Sequence, residues 1–253
     1  MVATIIPRLE ALRVKALHRK FIREAGLREH NRSVVTKPFS DRRAAGKALA
    51  EQVGEFAHRD DVVVLALPRG GVPVGYEIAS KLKAPFDVLS VRKLGVPGHE
   101  ELAMGAIASG GAYSLDTELI RHLDLTPQEM LAVARSEQRE LERRERTYRD
   151  HRKFPDLENR TVILVDDGLA TGQSMSVAVQ AVQRRRARRI VVAVPVASSD
   201  ACADLSGQAD VICAMMPEPF YAVGAWYADF SQVTDDEVRE LLAKSAAERE
   251  SAT

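Results

Sequence analysis

The stretch VILVDDGLATGQS, residues 162–174, decides the fold class of this 253-residue chain. It opens on a short continuous apolar run, the mark of a strand buried on both faces. Two adjacent carboxylates follow, then a loop holding Gly168 and Gly172, then a periodicity that predicts a helix to about Arg186. A buried strand that passes through a glycine-containing loop into a helix is one unit of an alternating α/β chain. The amides of such a loop and of the helix N-terminus form an anion site suited to a phosphate. The hydroxyls of Thr171 and Ser174 add donors to the same cradle. Asp166 and Asp167, directly before it, suit a sugar phosphate, because carboxylates accept hydrogen bonds from vicinal hydroxyls. An Asp-Asp helix cap alone explains the acids but not the whole strand–loop–helix unit.

Outward from this stretch the chain keeps alternating. DVVVLALPRGG, 61–71, predicts a second buried strand ending in turn residues. Before it, residues 41–57 predict a helix capped by Ser40 or Asp41, with Ala44, Leu49, Val53 and Phe56 toward a core. After it come a helix to about Leu82 and a strand over 86–91. Residues 92–111 hold five glycines and predict a long loop with a short strand near 104–108. A long helix is expected over 127–150, with Pro127 at its first position. IVVAVPV (190–196) and DVICAMM (210–216) complete a mostly parallel central sheet flanked by helices. Open sheets of this kind bind ligands beyond the carboxyl ends of their strands.

Composition narrows the function classes. Thirty-six Lys+Arg balance 36 Asp+Glu, with 45% apolar and 28% charged residues, an ordinary globular mixture. A balanced charge argues against a chain devoted to nucleic acid, and no apolar run approaches the ~20 residues of a membrane span. Cys202 and Cys213 form neither a disulfide framework nor a zinc clip, which points to a reducing, cytoplasmic setting. The charge is uneven, however. Residues 1–40 carry nine basic and three acidic groups, a net +6, and the rest carries −6. With Ile5, Leu9, Leu12, Leu17 and Phe21 near helical spacing, residues 1–38 read as a basic amphipathic extension preceding one domain over 39–253. A transit peptide, a docking arm and a helix packed on its own or a sister subunit all fit that pattern.

Residues 162–174 resemble the phosphoribosyl pyrophosphate (PRPP) motif of the type I phosphoribosyltransferases. The resemblance extends over about 39–235 and implies the fold, a homo-oligomer and the activity of that family. In it the two acids, here Asp166 and Asp167, hold the ribose hydroxyls. The loop, here Gly168, Leu169, Ala170, Thr171, Gly172, Gln173 and Ser174, binds the 5′-phosphate. LPRGGVPVG, 67–75, stands where the family has its pyrophosphate loop, which would bring the amides of Arg69, Gly70 and Gly71 to phosphate oxygens. VRKLGVPGHEELAMG, 91–105, is similar to the start of the family's flexible catalytic loop, with Arg92 and Lys93 set to neutralise the leaving pyrophosphate.

PEPFYAVGAWYADF, 217–230, is similar to the C-terminal hood of the 6-oxopurine members, within a hood segment of about 197–235. That likeness implies Phe220, Tyr221 and Trp226 as the base-binding aromatics and Asp229 as a residue holding Mg²⁺. Two departures stand out. The glycine-to-aspartate spacing is one residue longer here, and Ala170 occupies a position that is acidic in the 6-oxopurine enzymes. The resemblance therefore implies Mg-dependent transfer of phosphoribose from PRPP to a nitrogenous base. The alternative is a PRPP- or nucleotide-sensing regulator that binds RNA or a protein. Arg184, Arg185, Arg186, Arg188 and Arg189 are the candidates for an RNA face, while Glu140/Arg144, Glu142/Arg146 and Glu145/Arg149 spacing predicts a solvated helix.

Overall fold

The computed structural model describes residues 38–251 except 110, 150 and 151. The basic extension read over 1–38 lies outside them but for Pro38. The chain runs through helix α1 (Arg42–Gln52), a 3-10 turn (Gly54–Phe56), strand β1 (Val62–Ala66), helix α2 (Gly71–Leu82) and strand β2 (Phe86–Val88). Strands β3 (Val91–Val96), β4 (His99–Ala108) and β5 (Ala112–Leu115) follow, then helices α3 (Thr117–His122) and α4 (Pro127–Arg149). The remainder is strand β6 (Thr161–Val165), helix α5 (Gln173–Arg184), strand β7 (Arg189–Val196), helix α6 (Ser199–Ser206) and strand β8 (Asp210–Met215). A 3-10 turn (Val223–Trp226) and helix α7 (Asp235–Glu250) close it.

Five strands form a wholly parallel sheet in the order β2-β1-β6-β7-β8. Continuous apolar strands suit it because both faces are covered. Val62, Val64, Ile163, Val165 and Val191 pack with Leu49, Val53, Val74 and Ile78 of the α1–α2 layer. Their neighbours Val63, Leu65, Val162, Leu164 and Val192 pack with Met175, Val179, Ala201 and Leu205 of the α5–α6 layer. Caps set the helix starts: Asp41 accepts from Ala44 N at 2.7 Å, and Thr126 and Glu129 bond each other reciprocally before α4. From β1 the chain builds outward to β2, and from β6 it builds the other way. The order therefore reverses between β1 and β6, which places the loops after those two strands at the switch point where α/β sheets bind ligands.

The expected loop over 92–111 is instead largely strand. β3, β4 and β5 make a separate antiparallel sheet, with Arg92 opposite Ile107 and Gly105 opposite Leu115. The glycines there serve the strands rather than interrupt them. Gly95 lies at register shifts, and a Cβ on Gly105 would meet Ser114 O at 2.2 Å. The expected strand 86–91 divides for the same reason, since Val91 begins the second sheet while β2 ends at Val88.

Helix α4 is solvated only along part of its length. Glu140–Arg144 pairs at 2.9 Å near the surface, but Glu145–Arg149 pairs at 3.2 Å with Arg149 buried and Glu145 half-buried, and Tyr148 is in the core. Of the stretch 197–235, α6 and β8 belong to the central layers, and 216–234 forms an irregular cap. The arginines read as an RNA face are engaged. Arg186 pairs with Glu158, Arg188 with Asp61 and Arg189 with Asp210, while Arg184 and Arg185 lie over Tyr113 and Phe154. Among the described residues no helix is long and apolar enough to cross a membrane.

Candidate active site

The loops after β1 and β6 meet tightly. A Cβ on Gly70 would lie 2.1 Å from Asp167 Oδ2, and one on Gly71 would lie 2.8 Å from Asp166 Cα. Only glycine lets the two loops approach this closely. Asp166 Oδ1 accepts from Asp167 N at 2.8 Å. Burial and the adjacent Asp167 push the Asp166 carboxyl well above the usual aspartate range. Burial also raises Asp167, against the pull of Arg42, whose Nε donates to Asp167 Oδ2 at 2.8 Å. The phenol of Tyr227 donates to the Asp167 backbone carbonyl at 2.5 Å.

Beyond the acids the chain turns over the end of β7. Leu169 N donates to Val196 O at 2.9 Å, and Ser198 Oγ to Ala170 O at 2.7 Å, which fixes the loop from beneath. Gly172, at φ +70°, then turns it into α5. Among the described residues no side chain caps that helix, so its first-turn amides are not taken by a capping group. Ala170, Thr171, Gln173 and Ser174 are exposed on the same turn. Thr171 also lines a cavity of about 480 Å³ together with Ser198, Asp200, Asp204, Glu218 and Phe220.

The remaining candidates divide. Arg69 lies on the loop after β1, 3.8 Å from Asp235 at the start of α7. Asp235 also accepts from Tyr148 at 2.7 Å, and burial with that contact pushes the Tyr148 phenol up to about 12. Arg92 and Lys93, expected on a flexible loop, sit on β3 and so project to opposite faces. Arg92 donates to Glu137 of α4 at 2.6 Å, and Lys93 to Glu101 O at 2.9 Å. Tyr221 is 80% exposed, whereas Phe220 and Trp226 pack partly against the α1–α2 core layer. Trp226 Nε1 is buried without a hydrogen-bond partner among the described residues. Asp229 is exposed, and the Ser231 amide that donates to its Oδ1 at 2.9 Å holds its carboxyl below the usual range.

Arg42 has no mark in the sequence, and Tyr227 is read there only as one of the aromatics of 217–230, not as a partner of Asp167. Arg42 lies 3.9 Å over the Phe230 ring and donates to Ser231 O at 2.7 Å as well as to Asp167. Its neighbour Arg43 pairs instead with Glu77 at the surface. No local pattern separates the two arginines. Only the approach of α1 and residues 227–231 to the end of β6 does so.

Known proteins place the chain in a family. A model of the phosphoribosyl transferase domain matches residues 40–212. The chain belongs to the phosphoribosyl transferase family. Two Mycobacterium tuberculosis proteins, provisionally named phosphoribosyl transferases MT0597 and Rv0571c, are each 44% identical over 207 residues. That alignment covers 81% of this chain and 46% of each relative, so the chain spans about half the length of the curated relatives it matches. The crystal structure of TT1426 from Thermus thermophilus is 42% identical, with a TM-score of 0.71, over 82% of this chain and 98% of that one. The parallel sheet with flanking helices is the type I phosphoribosyltransferase-like fold. Phe230, Ser231 and Asp235, which engage Arg42 and Arg69, lie beyond the part matched by the family model.

Proposed function

We propose that this protein catalyses Mg-dependent transfer of the 5-phosphoribosyl group from PRPP to a nitrogenous base, releasing pyrophosphate. The observation that carries this reading is the close approach of Gly70 to Asp167, where a Cβ would lie 2.1 Å from the carboxylate. One cleft thereby holds a glycine loop suited to pyrophosphate beside paired acids suited to a ribose diol. Asp166 and Asp167 orient the ribose through its hydroxyls. The 168–174 loop and the uncapped first turn of α5 anchor the 5′-phosphate. The amides of Arg69, Gly70 and Gly71 take the pyrophosphate.

The base nitrogen attacks C1′ as the C1′–oxygen bond to pyrophosphate breaks, through an oxocarbenium-like transition state. Arg92 or Lys93, according to which face of β3 turns toward the cleft, stabilises charge on the leaving group when the β3–β5 sheet approaches it. Phe220, Tyr221 and Trp226 hold the base, with Phe220 facing the cavity it shares with Thr171. The donor set suits magnesium, which takes one or two protein carboxylates and completes its shell with substrate phosphates and water. Asp229 is such a carboxylate, ionised and fixed by the Ser231 amide. When bound, the ion neutralises charge on the departing pyrophosphate. Screening nucleobases for pyrophosphate release in the presence of PRPP and Mg²⁺ tests the proposal. A base-dependent signal is expected, and nucleotide binding without turnover on any base would favour a sensor instead.

A further inference from the structure

We infer that Arg42 is a positioning residue for the ribose-binding acid, fixing one oxygen of Asp167 and tying it to the aromatic cap. This inference rests on the PRPP reading of the cleft. The Asp167 carboxylate is held between two groups. Gly70 fills the space on one side so closely that no Cβ fits, and Arg42 Nε donates to Oδ2 at 2.8 Å. Among the described residues no other residue donates to Oδ1, which leaves that oxygen open to a ribose hydroxyl. The Arg42–Asp167 pair is largely withdrawn from water, with side chains 11% and 15% exposed, so its geometry is not averaged away as a surface pair's would be.

The guanidinium is fixed in turn. Its Cζ lies 3.9 Å from the centre of the Phe230 ring, and Nη1 donates to Ser231 O at 2.7 Å. A planar fork can serve a carboxylate, a carbonyl and an aromatic face at once, whereas an ammonium is a point charge that cannot. Tyr227, in the same cap, holds the Asp167 backbone through its carbonyl. Helix α1, the cap and the ribose acid thus form one unit around a single side chain. Arg42 acts on PRPP through Asp167, not by touching it.

A double-mutant cycle separates that role from direct contact or general structural support. Mg·PRPP is titrated calorimetrically into wild type, Arg42→Met, Asp167→Asn and the double variant, with thermal unfolding recorded for each. Arg42→Met is expected to weaken binding about tenfold, the effect of losing one charge-assisted hydrogen bond. In the Asp167→Asn background the same change should cost less than about twofold, and Arg42→Lys should recover part of the loss. Should Arg42→Met fail to fold, the cycle is run with Arg42→Lys, whose weakening must likewise vanish beside Asp167→Asn. An effect of Arg42 that persists at full size in the Asp167→Asn background overturns the inference, as does wild-type affinity in Arg42→Met. Absence of PRPP binding by the wild type would instead remove the site reading itself, and this inference with it.

Discussion

Asp166 carries the least favourable charge in the cleft. Burial and Asp167 both raise its carboxyl above the value it has in the unfolded chain. The folded state therefore binds that proton more tightly, and the stability gained from protonation is lost as pH rises through the folded pKa. Asp166→Asn keeps an oxygen to accept from Asp167 N but removes the charge. It is expected to raise Tm by a few degrees at pH 7 and to abolish PRPP binding. The Tm gain over wild type should shrink as pH falls toward the ordinary carboxyl range. A lower Tm at pH 7 would show that the ionised acid is not a burden on the fold. Gly70 makes a complementary case. Its φ of −59° suits alanine, so Gly70→Ala tests contact alone. The added Cβ, 2.1 Å from Asp167 Oδ2, should displace the carboxylate and cost PRPP affinity about tenfold or more, with a stability loss of about 1–3 kcal/mol. Calorimetry and urea unfolding read the two effects separately.

Among the elements, α4 joins the two sheets. Glu145 accepts from Ser109 at the end of β4, and Arg149 donates to both oxygens of Asp87 on β2, at 3.1 and 3.3 Å, and to Val88 O at 2.8 Å. Arg149→Met leaves the Asp87 carboxylate buried without its cation. It should destabilise the protein by about 3–5 kcal/mol, and adding Asp87→Asn should restore much of that. Equal stability of the single and double variants in urea would contradict the pairing. The sequence reading here was half right for a physical reason. The i,i+4 spacing of Glu145 and Arg149 predicts their pairing, but spacing along a helix cannot report that Asp87, 62 residues from Arg149, meets that arginine in the interior. The 92–111 stretch misled in the same way. Its glycines look like loop residues in isolation, yet Gly105 is small because β5 runs against it.

At the scale of the molecule, the readable parts were those coded by contiguous residues. Apolar strands ending in LPRGG and VDDGLATG locate β1, β6 and both loops of the cleft, and the order reversal between those strands brings the loops together. Arg42 and Asp235 reach the cleft from either end of the described chain and carry no signature of their own, and Tyr227, though within the aromatic stretch 217–230, carries no local mark of its bond to Asp167. The family model likewise stops at residue 212, before the cap that holds Arg42. A transferase moves C1′ of PRPP from pyrophosphate oxygen to a base nitrogen. PRPP labelled with ¹³C at C1′ is followed by NMR with Mg²⁺ and a panel of nucleobases. The expected result is that the signal leaves the pyrophosphate ester and reappears as an N-glycoside, with one pyrophosphate released per nucleotide, and that Asp167→Asn slows this severely. Label that stays in PRPP with every base, or that ends as free ribose 5-phosphate, would contradict the transferase reading.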